Sequence, residues 1–271
     1  MKHIVGFSGG IDSQAVAGLI LDKYGPDDTI LTNSNAGGNE DPLTDMWVQW
    51  YHENVHPVIR CNAVVSDMWK TTGFAEKRGF QSEEILTFTK MILVKGRPPS
   101  RKAQFCTEIL KLRPQARWTF EQFGVGGQYE NEEYVRYTGL RREESEARKD
   151  TPDQGWDAYF DCEVIHPIAA WKKQQCFDFV LARGEKINPL YLLGFNRVGC
   201  APCINSSKQD IEKIRRMEAE TGRTYFAPCV PGKYTNTIDE ILAWAKTDYG
   251  GKQFKLPVER EPCESKYGLC E

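Results

Sequence analysis

Met1-Lys2-His3-Ile4-Val5-Gly6-Phe7-Ser8-Gly9-Gly10-Ile11-Asp12-Ser13, with the apolar-rich run that follows to Tyr24, decides how this chain folds. Ile4, Val5 and Phe7 form a short buried-strand pattern, and Val16, Leu19, Ile20 and Lys23 recur at helical spacing over residues 13–24. Between strand and helix lie two glycines flanked by serines and an aspartate. Glycine lets the backbone turn sharply, and the helix points its unpaired N–H groups and positive dipole end into that turn. Such a junction cradles phosphate. An ordinary strand–turn–helix connection with Asp12 or Ser13 as N-cap has the same pattern. The lysine of a Gly-x-x-x-x-Gly-Lys-Ser/Thr loop is absent, which excludes a Walker-type ATPase.

Outward from this junction, residues 29–32 read as a second strand and 33–41 as a polar, glycine-rich loop. Residues 42–54 read as a helix and 57–61 as a third strand. The alternation predicts an α/β fold with a parallel sheet, right-handed crossovers and flanking helices. Ligands in such sheets sit beyond the carboxyl ends of the strands, so residues 8–13 and 33–41 share one rim. Further along, a turn is expected at 70–73, a helix over 83–94 and a mobile loop at 96–100. An amphipathic helix over 207–220 should turn Ile211, Ile214 and Met217 inward, and a second is expected over 238–245. Residues 1–170 are expected to form the nucleotide-binding α/β domain and 171–248 a mostly helical, cysteine-containing extension, with 249–271 a tail or lid.

The net charge of −3 over 271 residues provides no global field favouring nucleic acid or membrane, and no apolar run has membrane-spanning length. A cytoplasmic protein is expected. Nine cysteines are then informative, because cytosolic thiols seldom form structural disulfides. Their number is odd, their spacing uneven, and one pair is Cys200-x-x-Cys203, which favours metal or redox chemistry. Cys61, Cys162 and Cys176 read as small core residues, and the four histidines have no ligand spacing. From Lys95 to Arg117 seven basic residues face one acid, Glu108, a pattern that fits a solvated face or an anion site.

Ser8-Gly9-Gly10-x-Asp12-Ser13 after an N-terminal strand resembles the pyrophosphate (PP) loop of the adenine-nucleotide alpha-hydrolase superfamily. Four further stretches resemble its phosphoadenosine-phosphosulfate (PAPS) reductase branch. These are Cys106-Thr107 with Leu110-Lys111 and Pro114; Gly139-Leu140-Arg141 with Glu144-Ser145 and Arg148; Pro167-Ile168 with Trp171; and Asn188-Pro189-Leu190-Tyr191 leading to Gly199-Cys200-x-x-Cys203. Together they cover residues 1 to about 208. The acidic loop usual after the second strand is altered: Glu40 and Pro42 fit, but Asn33 or Asn35 stands where an aspartate is expected.

This resemblance implies a Rossmann-like (HUP-type) fold and an adenine nucleotide held by Ser8, Gly9, Gly10, Asp12, Ser13, Lys111, Gly139, Arg141, Glu144 and Ser145. It implies catalytic roles for Asp12, Ser13, Arg141 and Arg148. It further implies a metal centre, a [4Fe–4S] cluster or alternatively zinc, on Cys106, Cys200, Cys203 and a fourth thiolate from Cys229, Cys263 or Cys270, with Cys229 favoured. The leading activity is cleavage of the α–β phosphate bond of ATP with Mg²⁺ to activate an acceptor for sulfur transfer, as in DNA phosphorothioation and tRNA thiolation proteins. The alternative is reduction of adenylyl sulfate, or its 3′-phosphorylated form, to sulfite. A third reading is an inactive nucleotide- or nucleic-acid-binding subunit. The PP loop keeps the residues needed for β- and γ-phosphates, and the Glu-Cys-Gly-x-His tail of true reductases is missing; both favour ATP. Expected partners are the nucleotide, a nucleic-acid or small-molecule sulfur acceptor, a sulfur-donor protein and a second copy of the chain, but no membrane.

Overall fold

The computed structural model describes residues 1–221 except 101, 102, 202 and 204. Six strands form one sheet in the order β3-β2-β1-β4-β6-β5. They are β1 (Lys2–Gly6), β2 (Thr29–Asn33), β3 (Val58–Arg60), β4 (Tyr134–Tyr137), β5 (Gln154–Asp157) and β6 (Cys162–Ile165). The first four and β6 run parallel, and β5 closes one edge antiparallel to β6. Sequence patterning missed β5, because Gln154, Gly155 and Trp156 are all exposed and carry no alternation. The chain winds from β1 out to β3 and returns to β4 on the far side of β1. That reversal places a topological switch point between β1 and β4, where open α/β sheets bind their ligands.

Helices α1 (Ile11–Tyr24) and α2 (Pro42–Asn54) are the first two crossovers, as the sequence predicts. Asp41 caps α2 by accepting from Leu43 N (2.8 Å), and Pro42 occupies its first turn, where no N–H is needed. The excursion between β3 and β4 holds a 3₁₀ segment (Val65–Thr71), α3 (Thr72–Glu76), α4 (Phe88–Lys95), α5 (Phe105–Thr107), a π-helical turn (Glu108–Leu112) and α6 (Arg113–Phe123). Here the turn expected at 70–73 is helical instead, and the helix expected over 83–94 starts only at Phe88. Thr87 sets that start by accepting from Lys90 N (3.2 Å). Beyond the sheet lie α7 (Lys173–Ala182), α8 (Pro189–Leu192) and α9 (Lys208–Thr221). Ile211 and Ile214 on α9 are buried, and Met217 packs against them.

The main core joins Val5 and Phe7 of β1, Ala15, Val16 and Ile20 of α1, Trp47, Val48 and Tyr51 of α2, and Cys176 and Val180 of α7. Each fully buried large side chain contributes roughly 1.5–3 kcal/mol, and together these residues fix α1, and hence the loop before it, against the sheet. Cys61, Cys162 and Cys176 are buried, as expected.

Burial also holds the pKa values of three histidines below their usual value. His3 stacks on Tyr24 at 3.5 Å, His56 Nε2 lies 3.0 Å from the Thr29 carbonyl and therefore carries the proton, and His166 Nδ1 lies 2.7 Å from Thr138 Oγ1. A folded-state pKa below the unfolded value makes the contribution to stability complete above about pH 6.5 and lost as pH falls. Thermal melts are therefore expected to be flat from pH 8 to 7 and to drop through pH 6 to 5. A Tm that rises on acidification would contradict this.

Candidate active site at the switch point

The PP loop is held by hydroxyl bonds within Ser8–Ser13. Ser13 Oγ donates to Gly10 O (2.9 Å) and accepts from Ser8 N (3.1 Å). Because its one proton is thereby used, Ser8 Oγ donates across the 3.1 Å contact to Ser13 Oγ, while accepting from Gly10 N at 3.4 Å. Gly9 has φ +83°, and a Cβ there would come within 2.9 Å of Val48 Cγ2. Both conformation and space therefore require glycine. At Gly139, just past β4, a Cβ would meet the Asp12 and Ser13 backbone at 3.0 Å, so the absence of a side chain lets β4 approach the loop.

Asp12 lies at the centre, 2% exposed. Its Oδ2 accepts from Arg141 Nε at 2.7 Å, and its Oδ1 is buried without a hydrogen-bond partner among the described residues. Arg141 also reaches Glu143 (3.4 Å) and Glu144 (3.7 Å), and Glu144 pairs with the fully buried Arg148. Ser145 Oγ, next along the chain from Glu144, is buried without a hydrogen-bond partner among the described residues. The structure thus brings Asp12, Arg141, Glu144 and Arg148 into one chain of alternating charge. Arg141 borders the loop directly; Arg148 is connected to it through Glu144.

The basic run separates into distinct environments. Lys111, on the π turn, is buried and reaches Glu40 Oε1 at 3.2 Å. Pro114 lacks the N–H that would bond the Leu110 carbonyl, and the widened turn precedes it. Arg113 bonds the Asp67 carbonyl and Glu108, and Arg117 pairs with Asp67 at 3.3 Å. Lys95 and Arg97 lie over the Phe105 ring at 5.5 and 5.2 Å. These last four are ion-paired or aromatic-stacked around the 3₁₀ segment and α5; of the described basic residues in the run, Lys111 is the one that reaches the rim loop.

Glu40 links the rim to the cysteine segment. It forms an antiparallel bridge with Cys200, next to an Ala201 N to Asn39 O bond of 2.9 Å. Burial raises its carboxyl pKa to about 7, against the opposing pull of Lys111. Asn33, one of the two asparagines offered for the position of the expected aspartate, is buried, donates to Phe7 O (2.8 Å) and accepts from Arg60 (2.6 Å). It therefore serves as a structural link between β1, β2 and β3.

Cys106 packs against the apolar cluster of the β3–β4 excursion, which includes Val65, Met68 and Met91, whereas Cys203 Sγ accepts from Asn205 N at 3.4 Å. Among the described residues no three His, Cys, Asp or Glu side chains converge to hold a metal ion. Cys229, Cys263 and Cys270 lie outside the described residues, as do the helix expected over 238–245 and the tail.

Two residues of the Asn188–Tyr191 stretch, which the sequence motif names without giving them a role, contact the PP loop. Asn188 Nδ2 donates to Gly9 O (3.2 Å) and Thr44 Oγ1 (3.3 Å), and Tyr191 OH accepts from Ile11 N (3.0 Å). Asn188 also caps α8, its side chain accepting from Leu190 N at 3.0 Å.

A family model for the phosphoadenosine phosphosulfate reductase domain matches residues 2–206. The chain belongs to this family. It is 27% identical, over 99% of its own length and 96% of the relative's, to an uncharacterized 37.8 kDa protein of Escherichia phage 186. Locally it is 47% identical over 66 residues to an adenosine 5′-phosphosulfate reductase of Streptomyces coelicolor, a match covering 24% of this chain and 28% of the relative. A reductase of the same name from Allochromatium vinosum is 35% identical over 105 residues, 39% of this chain and 36% of the relative. This chain therefore spans only about a third of these two reductases. In fold it is similar to a phosphoadenylyl-sulfate reductase from Candida auris, with a TM-score of 0.50 at 14% identity over 75% of this chain and 83% of that one. No helix among the described residues is long and apolar enough to cross a membrane.

Proposed function

We propose that this member of the family binds ATP with Mg²⁺ through Ser8–Ser13 and cleaves the α–β phosphate bond to activate an acceptor for sulfur transfer. The observation that carries the reading is the intact PP loop with Asp12 inside it. One buried carboxylate oxygen is held by Arg141 and the other has no hydrogen-bond partner among the described residues. Leaving such an oxygen unpaired costs roughly 1–3 kcal/mol, and a cation bridging the phosphates would relieve that. The Asp12 donor set thus suits Mg²⁺, which favours one or two carboxylates plus phosphate oxygens and supplies charge neutralisation when bound. The N–H groups at the start of α1 would hold the terminal phosphates. Arg141 would stabilise charge developing on the departing pyrophosphate while an acceptor nucleophile bonds to the α-phosphorus. Glu144, Ser145 and Arg148 would hold Arg141 in place, with Gly139 providing the close approach of β4. Lys111 and Glu40 would border the nucleotide at the neighbouring loop.

The [4Fe–4S] cluster or zinc on Cys106, Cys200, Cys203 and Cys229 remains part of the proposal on the strength of the cysteine pattern. The described residues by themselves do not assemble such a site, and the phosphate chemistry above is independent of it. Iron, zinc and sulfide counts on anaerobically isolated full-length protein test it.

The reductase reading is favoured by one observation of its own, the local identity to two adenosine 5′-phosphosulfate reductases. Product analysis separates the two. With Mg²⁺, ATP and a cell extract supplying acceptors, release of pyrophosphate is expected; with adenylyl sulfate and a thiol, no sulfite is expected. Sulfite release without pyrophosphate release would transfer the assignment to the reductase.

A further inference from the structure

The α1 N-terminus receives a hydrogen bond from far along the chain. Gly10 is its N-cap residue and offers no side chain, so the helix lacks the usual Ser, Thr, Asp or Asn cap. The hydroxyl of Tyr191 takes that place, accepting from Ile11 N at 3.0 Å across 180 residues. The contact is built. The Tyr191 ring meets Phe177 edge-on at 5.0 Å, with Lys173 Nζ 5.3 Å from its centroid. Three residues earlier Asn188, fully buried, grips the Gly9 carbonyl and Thr44. Tyr191 lies on α8, whose end is tied by Phe195 N to Leu190 O (3.0 Å), and the chain then reaches the Cys200 bridge to Glu40. The PP loop and the segment bearing Cys200 are therefore joined through one short helix.

From this geometry we infer that Tyr191 is a displaceable cap of the phosphate site, competing with a phosphate oxygen for the Ile11 N–H and passing the outcome to the cysteine segment. The inference rests on the reading of Ser8–Ser13 as a polyphosphate cradle. An amide N–H has one proton, and a phosphate oxygen accepts it more strongly than a phenol does because the acceptor is charged. A phosphate at the start of α1 therefore takes Ile11 N–H from Tyr191 and loosens α8 from the loop. Tyr191 acts here as a positioning residue that sets both affinity and coupling. A purely structural tyrosine would do the opposite: its loss would disorder the cradle and weaken anion binding.

The test is calorimetric titration of the full chain and of Tyr191→Phe with inorganic pyrophosphate and Mg²⁺, and separately with ATP and Mg²⁺. Removing the competing hydroxyl is expected to tighten pyrophosphate binding about 3- to 10-fold, the equivalent of one ordinary hydrogen bond. Amide hydrogen exchange over residues 189–194 is expected to rise when pyrophosphate binds the wild type, and to be already raised in Tyr191→Phe. Equal or weaker binding by the variant, or exchange that pyrophosphate leaves unchanged, overturns the inference. A tightened response to pyrophosphate with no binding of ATP by either protein would uphold the cap and overturn the ATP reading. No pyrophosphate binding by the wild type would overturn both.

Discussion

Asp12→Asn is expected to lower pyrophosphate release about 10²–10³-fold, the scale on which removal of one charge-stabilising group acts at a polarised transition state. The asparagine keeps an oxygen for Arg141 Nε, so the 2.7 Å contact and the seating of β4 on the loop survive. What it removes is the negative charge at Oδ1, the oxygen suited to a cation on the phosphates. Its thermal unfolding should therefore match the wild type while turnover collapses. Asp12→Ala is a poorer probe, because it also removes the oxygen that accepts from Arg141 Nε and leaves that donor, on a side chain 5% exposed, without this acceptor. Turnover of Asp12→Asn within threefold of wild type would remove Asp12 from the chemistry.

The second large effect is on stability. Arg148 is 1% exposed and pairs with Glu144. Arg148→Met approximates its volume but leaves the Glu144 carboxylate with only Arg141, at 3.7 Å, as an ion-pair partner among the described contacts. Removing one partner of a buried pair costs roughly 3–5 kcal/mol, which lowers Tm by about 10 °C for a chain of this size. Arg148→Met combined with Glu144→Gln should recover much of that loss, because the buried charge is then gone as well. Equal melting of the wild type and Arg148→Met would show that the pair contributes nothing. A double variant no better than the single one would place the effect in packing.

Much of the fold was legible because its signals are local. The β1–α1–β2–α2–β3 run shows strand and helix periodicities separated by turns, and the structure reproduces it with α2 at 42–54. Phe7, Val16 and Ile20 are buried where their spacing places them. The excursion from 62 to 112 was harder to read. Its helices are short, and its 3₁₀ and π turns follow neither the 3.6 nor the 2.0 period. The seven basic residues of 95–117 looked alike in sequence, yet those the structure describes have environments set by tertiary partners: Glu40 for Lys111, Asp67 for Arg117 and the Phe105 ring for Arg97. At the site, Ser8–Ser13 and Arg141 could be named from motif and spacing. Asn188 and Tyr191 belong to a stretch the motif names, but their hold on the loop was not legible, because a contact spanning 180 residues leaves no periodic trace.

The central claim is that the loop at 8–13 grips the terminal phosphates of ATP. It is tested most directly by equilibrium binding of ATP, AMP and adenylyl sulfate to the full chain with Mg²⁺, which requires no knowledge of the acceptor. The account predicts that ATP binds at least tenfold more tightly than AMP or adenylyl sulfate, and that inorganic pyrophosphate displaces it. Adenylyl sulfate binding more tightly than ATP, with pyrophosphate unable to compete, would contradict it.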